Sequence, residues 1–322
     1  MNAEFHYYVT YLLAVKAGFA SSDAYKIAYS SQYVDDNHKE INIYNSDEEL
    51  IYKNVLTQNY NVLRPAEELN NIYPVYHFVP DETLSKKSKR KDGCLHILDT
   101  HPDNKNVNYA LHAALKSGDP YWIGIASHAF VDSWAHQNFT GTLDCYNAMP
   151  GSLRSMIMDL GHADMMAEPD HIGHIWKDKR LLKEMINNNE RFLIAAMRLF
   201  EEYLVFLKEK EGLKNKLIKE IKKHIKFAFG RATKNLFWNL CASHAKRMKS
   251  YHRLSVLYSK LDIHQYIKDE WINEALKKLK IGNIYKWHDK ILYKTSHWYL
   301  FQNAAKKHHE FVWPLIKNKL DC

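Results

Sequence analysis

Along most of the chain, apolar residues recur every three or four positions, the period of helices that bury one face. Residues 4–17 predict a first helix, with Gly18 just past its end as a left-handed terminator. Ser21 or Ser22 caps a second helix running to Asp35-Asp36, with Ala24, Ile27, Ala28 and Ser31 forming a face of small residues that allows close packing. Residues 37–60 are polar and mixed, residues 63–69 predict a short helix, and the proline-bracketed YPVYHFVP at 73–80 predicts extended chain. A helix over 106–115 follows, then Asp119 as N-cap and Pro120 at the first helical position of another, running from 121 to about 138. Gly141 closes it. Residues 142–160 read as a linker with a short helix, and 161–167 as a further helical stretch. From 181 to 226, Leu193, Met197, Phe200, Leu204 and Leu207 mark one or two long amphipathic helices. Residues 231–322 continue helical, with breaks near Asp262, Gly282 and Pro314. No internal repeat or low-complexity linker divides the chain, so a single all-α domain over 1–322 is expected.

Composition sharpens this picture. Only 11 Gly and 8 Pro in 322 residues speak against an all-β protein built on many tight turns. Four cysteines, Cys94, Cys145, Cys241 and Cys322, stand far apart without a CxxC pair, which fits a reducing compartment. The N-terminus lacks the pattern of a signal peptide, and no stretch approaches the ~20 apolar residues of a membrane span. A cytoplasmic protein without transmembrane helices is therefore expected, its oligomeric state open. The net charge of +8 suits an anionic partner, although lysines on solvated helix faces, as between Lys208 and Lys226, account for many of the cations. The 19 histidines are too many to be read only as core or surface residues.

The densest chemistry is His128-x3-Asp132-x3-His136 on a predicted helix. Steps of four residues keep the three side chains on one face, while the rise of ~1.5 Å per residue separates the two histidines by roughly 12 Å. One ion cannot take both from a straight helix, but a central carboxylate can bridge two ions, each with its own imidazole. The bland alternative is a polar stripe on a half-buried helix; three ligand types in register favour metal. His6 near the start of the first helix and Asp35 or Asp36 at the end of the second lie at the same end of an antiparallel pair, and an acid at a helix C-terminus is otherwise unfavourable. A third group runs Gly161-His162-Ala-Asp164 to Glu168-Pro-Asp170-His171, with His162 and then Asp170 the best candidates. His77 and His112 are weaker candidates. His288-Asp289 reads as a chance doublet and His308-His309 as surface. GxGxxG, P-loop, GxSxG and HExxH motifs are absent.

The segments MNAEFHYYVTYLLAVKAGF, AYKIAYSSQYVDDN, GIASHAFVDSWAHQNFTG, GHADMMAEPDHIGHIW and SHWYLFQNAAKKHHEFVWPLI resemble a family of uncharacterised bacterial proteins. That family is in turn similar to the zinc-dependent phospholipase C and zinc nuclease superfamily. The resemblance implies a multi-helix bundle of that type, holding up to three zinc ions and cleaving phosphodiester bonds. By it, His6 matches the first-helix histidine and Asp35 or Asp36 the early aspartate. His77 or His112 matches the next histidine, His128, Asp132 and His136 the central set with Asp132 bridging, and His162 the late histidine. The pattern departs in three places, the first being that only three residues separate Asp132 from His136, where those enzymes usually have a longer gap after the aspartate. The acid expected four residues after His162 is Met166, with Asp170 or Asp164 as substitutes, and the free amine that serves as a ligand in those enzymes has no evident processed counterpart.

The function implied is a Zn2+-dependent hydrolase of phosphodiesters, lipid head group or nucleotide and nucleic acid alike, with Asp35 or Asp36 orienting or deprotonating the attacking water. Tyr7, Phe130 and Trp134 are candidates to line its cleft. Its rivals are a non-catalytic metal-stabilised helical protein, an HD-type phosphohydrolase built on His288-Asp289, and a helical interaction module with a basic face.

Overall fold

The computed structural model describes residues 1–45, 49–61, 64–81, 89–150, 160–208, 210–279 and 284–320. Helix α1 winds as a π-helix over Glu4–Val9 and as an α-helix over Thr10–Ala17. Gly18 ends it at φ 116°, donating its N–H to the carbonyls of Ala14 and Val15. Helix α2 (Ser21–Asp36) runs back alongside α1. Short helices α3 (Ala66–Asn70) and α4 (Tyr73–Tyr76) lead to α5 (Lys105–Ser117) and α6 (Pro120–Ala135). Both long helices are capped from the residue before them. Asn104 accepts from the backbone N–H of Asn106 and Val107, and Asp119 from those of Tyr121 and Trp122.

The second half adds α7 (Asn188–Phe206), α8 (Glu211–Phe229) and the single turn α9 (Leu236–Trp238). A π-helical segment, Asn239–Ser243, leads into α10 (His244–Ser259), followed by α11 (Glu270–Ala275) and α12 (His297–Leu320). Helices α2, α5, α7 and α12 all pack on α6, every residue of which after Pro120 is buried. The approach of α2 to α6 is closest at Gly124: a Cβ there would lie 2.3 Å from the Ile27 carbonyl oxygen and 2.6 Å from Ser30 Cβ. One turn further along both helices, Ser31 faces His128.

Two small sheets correct the all-α expectation. One has the order β2-β1-β6-β5, from β1 (Asn42–Tyr44), β2 (Leu50–Lys53), β5 (Leu276–Lys278) and β6 (Ile284–Trp287), with β1 and β6 parallel. The other pairs β3 (Ile175–Lys177) with β4 (Met185–Asn187). These strands are too short to show a period of two in sequence, and β1 meets a partner more than two hundred residues away.

Other local expectations also shift. Residues 73–76 are helical rather than extended, because Pro74 falls in a first turn, where its missing N–H costs nothing. Residues 161–167 hold only a 3-10 turn at Ala163–Met165, and residues 145–147 another. The helix expected from 181 begins at Asn188, since the preceding residues form the β3–β4 hairpin. Of the basic run 86–91, residues 86–88 lie outside the described residues, as do 62–63, 151–159 and Asp321. Arg90 in that run is buried, bonded to Asp92 and the Tyr146 carbonyl.

His308 is likewise buried rather than on the surface, between the Trp122 indole N–H at 3.3 Å and the Val75 carbonyl at 3.3 Å. Burial pushes its pKa down to about 3, against the small upward pull of the Val75 carbonyl. The unfolded chain therefore binds a proton at His308 that the native state refuses. Its contribution to stability is complete above pH ~6.5 and declines as pH falls toward about 3. His308→Asn is expected to flatten the fall in urea-unfolding midpoint across that window; an unaltered slope would count against a neutral buried imidazole. Gly124→Ala is expected to destabilise the fold by about 1–3 kcal/mol through forced separation of α2 and α6, read as a lower melting temperature.

Candidate metal centre

Three groups of metal-ligating side chains meet at one end of the α1–α2–α6 packing: His6, Asp35 and His128; His77, His128 and Asp132; and His136, His162 and Asp170. Helix α1 supplies His6 and the C-terminal turn of α2 supplies Asp35. His77 follows α4 directly. Helix α6 carries His128 and Asp132 one turn apart, and His136 stands at its C-cap. His162 and Asp170 come from the turns between α6 and β3. Asp132 joins the groups. Its Oδ1 lies 3.1 Å from His6 Nε2, and its Oδ2 lies 3.0 Å from His128 Nε2 and 3.4 Å from His77 Nδ1. The buried Met1 amino group contacts Asp132 and stands 3.4 Å from Asp170 Oδ1.

The outward-facing nitrogens settle which tautomers these imidazoles hold. His77 Nε2 lies 2.8 Å from the Thr57 carbonyl oxygen, and His128 Nδ1 2.7 Å from that of Ser31. His136 Nδ1 lies 2.9 Å from the His77 carbonyl oxygen, and His162 Nδ1 2.7 Å from that of Met166. A carbonyl only accepts, so each of these nitrogens donates, and in a neutral ring the opposite nitrogen is a bare lone pair. Those lone pairs point at one another and at carboxylates. His77 Nδ1 and His128 Nε2 are 3.0 Å apart, and His136 Nε2 and His162 Nε2 lie 3.3 and 3.2 Å from the two oxygens of Asp170. His6 Nε2 has no hydrogen-bond partner although fully buried. Acceptors facing acceptors repel unless a cation stands among them. Carbonyls gripping the far nitrogen are the usual outer support of metal-bound histidine.

The spacing suits such a cation. Zinc bonds of ~2.0–2.1 Å in a tetrahedron separate neighbouring donor atoms by about 3.3 Å. His77 Nδ1, His128 Nε2, Asp35 Oδ1 and Asp132 Oδ2 are separated by 3.0 to 3.8 Å along the edges His77–His128, His77–Asp132, His77–Asp35, His128–Asp132 and His128–Asp35.

The local electrostatics run the same way. Burial drives His128 down to about 4 and His6 well below the usual imidazole range, so both rings are neutral and able to ligate. Burial alone would raise Asp132 and Asp170. The Met1 ammonium with His128, His136 and His6 holds Asp132 well below the usual carboxylate range, and His162, the same ammonium and His136 do so for Asp170. Asp35 goes the other way: burial, with Asp132 and Asp36 beside it, pushes it well up against the pull of the Met1 amine. That amine rises to about 10, because the carboxylates of Asp132, Asp170 and Asp35 outweigh its burial.

A cleft of about 560 Å³ opens over Asp35, His77, His136, His162 and Asp170. Tyr60, Tyr73, Phe78 and Leu160 wall it, and among the described residues no Lys or Arg lines it. Phe78 stacks on His136 at 4.1 Å between ring centres. Gly161, at φ 55°, makes room for that ring: a Cβ there would lie 2.5 Å from Phe78 Cζ.

Of the residues singled out in the sequence, His6, Asp35, His77, His128, Asp132, His136, His162 and Asp170 converge here. Two do not. Asp36 turns away, to Lys268 at 2.9 Å, the Tyr266 hydroxyl at 2.8 Å and Gln32 at 3.1 Å. The alternation around a helix sends adjacent residues to different faces, so only one of the Asp pair could face His6. His112 is exposed on the outer face of α5 and paired with Glu202 at 2.8 Å. Asp164 accepts from the Met149 backbone N–H instead, which leaves Asp170 as the acid beside His162. Asp289 caps a turn through the N–H groups of Ile291 and Leu292, and among the described residues the His288-Asp289 doublet joins no ligand group. Tyr7, Phe130 and Trp134 pack in the core rather than lining the cleft. The carbonyls of Ser31, Thr57 and Met166, which orient the histidines, carry no sequence signal, being backbone atoms.

Residues 1–316 match the model of a family of unknown function (DUF6765), and the chain belongs to that family. No curated protein and no solved structure matches it.

Purified protein is expected to carry divalent metal, measured by plasma emission spectroscopy. Asp132→Asn or His77→Ala should lower that content to less than half, and His112→Ala should leave it unchanged. Equal metal in all three variants would dissociate the cluster from metal binding.

Proposed function

We propose that this member of a family of unknown function is a metal-dependent phosphodiesterase with two or three zinc ions, akin to the zinc-dependent phospholipase C and nuclease superfamily its motifs resemble. The observation carrying this reading is Asp132, one buried carboxylate shared by imidazoles of different ligand groups, beneath a cleft that exposes the cluster on one side. The open cleft also favours an enzyme over a closed structural metal site.

Asp35, Asp132, His77 and His128 would hold one ion, and His136, His162 and Asp170 another, with His6 and Asp132 available to a third. Ions so held supply Lewis acidity toward a phosphoryl oxygen and lower the pKa of a coordinated water. The chain's own groups do the rest. Asp35 is the least covered member of its ligand group, its side chain 22% exposed, which puts it where it can orient or take a proton from water at the cleft floor. Tyr60, Tyr73 and Phe78 give an apolar or aromatic substituent something to lie against and keep bulk water from the reacting group. With no Lys or Arg among the described residues lining the cleft, the held cations and the Met1 amine would meet the phosphate's charge. That favours a diester, with a single negative charge, over a monoester.

Zinc-loaded protein is expected to hydrolyse bis(p-nitrophenyl) phosphate and to lose that activity on chelation. Asp35→Asn should lower kcat by about 10²-fold or more. A fully loaded protein with no activity on any diester tested would sink the proposal while leaving metal binding intact.

A further inference from the structure

The chain's positive charge is concentrated. Between Glu220 and Asp262 there is no Asp or Glu, yet that stretch holds ten Lys and Arg residues. The rest of the chain carries 35 Lys and Arg against 37 Asp and Glu, so the whole surplus of +8 originates in this one stretch. It folds into the second half of α8, the loop after Gly230, α9, the π-helical segment and α10.

The same stretch exposes large apolar side chains. Phe227 is 81% exposed, Phe237 77% and Trp238 57%, with Leu240 beside them also in solvent. Between them lies a cavity of about 710 Å³ lined by Phe227, Arg231, Lys234, Trp238 and Lys246, with no Asp or Glu in its walls. Arg247, also in its wall, is taken by Glu4 at 2.6 Å. Arg231, Lys234 and Lys246 form no ion pair among the described residues.

Unpaired cations call for an anionic partner, and projecting aromatics gain nothing from water. One partner satisfies both at once. At an anionic bilayer the cations meet head-group phosphates, and the aromatic tips reach the acyl boundary. A single-stranded nucleic acid would also take cations and aromatic faces. Here, however, Phe237 stands out from the surface outside the cavity lining, and the exposed Leu240 offers no ring to stack on. We propose that the surface around Phe227, Arg231, Lys234, Phe237, Trp238 and Lys246 docks the protein peripherally on an anionic lipid bilayer. The π-helical segment and α10 also supply Leu240 and His244 to a groove of about 640 Å³ that shares Asn2, Ala3 and His171 with the metal cleft.

The test is co-sedimentation of the full chain with vesicles of phosphatidylcholine alone or with about 30% phosphatidylserine. Binding is expected only with phosphatidylserine and should weaken with salt. Each charge removed should cost about fivefold in partition, so Lys234→Glu with Lys246→Glu should abolish measurable binding. Phe237→Ala with Trp238→Ala should weaken it by about tenfold or more, and Phe237→Leu should retain it. An unchanged melting temperature and metal content in these variants shows that the fold and centre are intact. Equal binding to both vesicle types, no binding to either, or variants that partition like wild type would overturn the proposal. So would tight binding to a single-stranded oligonucleotide with no affinity for vesicles. Hydrolysis of a soluble diester is read separately, so failure here leaves the phosphodiesterase reading standing.

Discussion

A charged carboxylate with no exposed surface, Asp132, sits in the middle of a helical core, and the surrounding structure is arranged around keeping it ionised. An isolated buried carboxylate costs several kcal/mol in lost hydration and would normally take up a proton. Here the Met1 ammonium in contact with it offsets that cost. His6 reaches it from α1 and His77 from the end of α4, so the carboxylate on α6 also acts as a registration point for these three elements.

The donors are held still by groups that do not themselves face the site. Backbone carbonyls of Ser31, Thr57, His77 and Met166 fix four imidazoles in the tautomer that leaves a lone pair inward. Gly124 lets α2 approach α6 closely enough for the Ser31 carbonyl to reach His128. At the start of α1, Arg247 clasps both oxygens of Glu4, at 2.6 and 2.8 Å. That buried pair anchors the N-terminal turn two residues before His6, tying the first helix to α10. Preorganisation of this kind is what lets a multinuclear site keep its donors at coordinating distance.

Charge is divided across the molecule. Among the described residues the cleft wall has no Lys or Arg, so an anion entering it meets the ligand cluster and the Met1 amine. The cationic surplus lies on α8 to α10 beside exposed aromatics. A basic isoelectric point therefore says little about the cleft itself; it belongs to a different surface.

How much was legible in the sequence follows from the range of each interaction. Helix limits around Gly18 and Asp119 depend on caps and left-handed residues within a few positions, and these are written locally. The spacing of His128, Asp132 and His136 on one face also follows from helix geometry alone, as does the placing of His6 near the end of α2. The choice of Asp35 over Asp36, of His77 over His112 and of Asp170 over Asp164 required knowing which way each side chain turns once helices from distant parts of the chain have packed. The parallel pairing of β1 with β6 and the burial of His308 are of the same kind. Sequence determined the helices and the stock of ligands, because capping and periodicity act over one or two turns. Tertiary structure alone decided which ligands share a cation, because that depends on close packing between segments that only the folded core brings together.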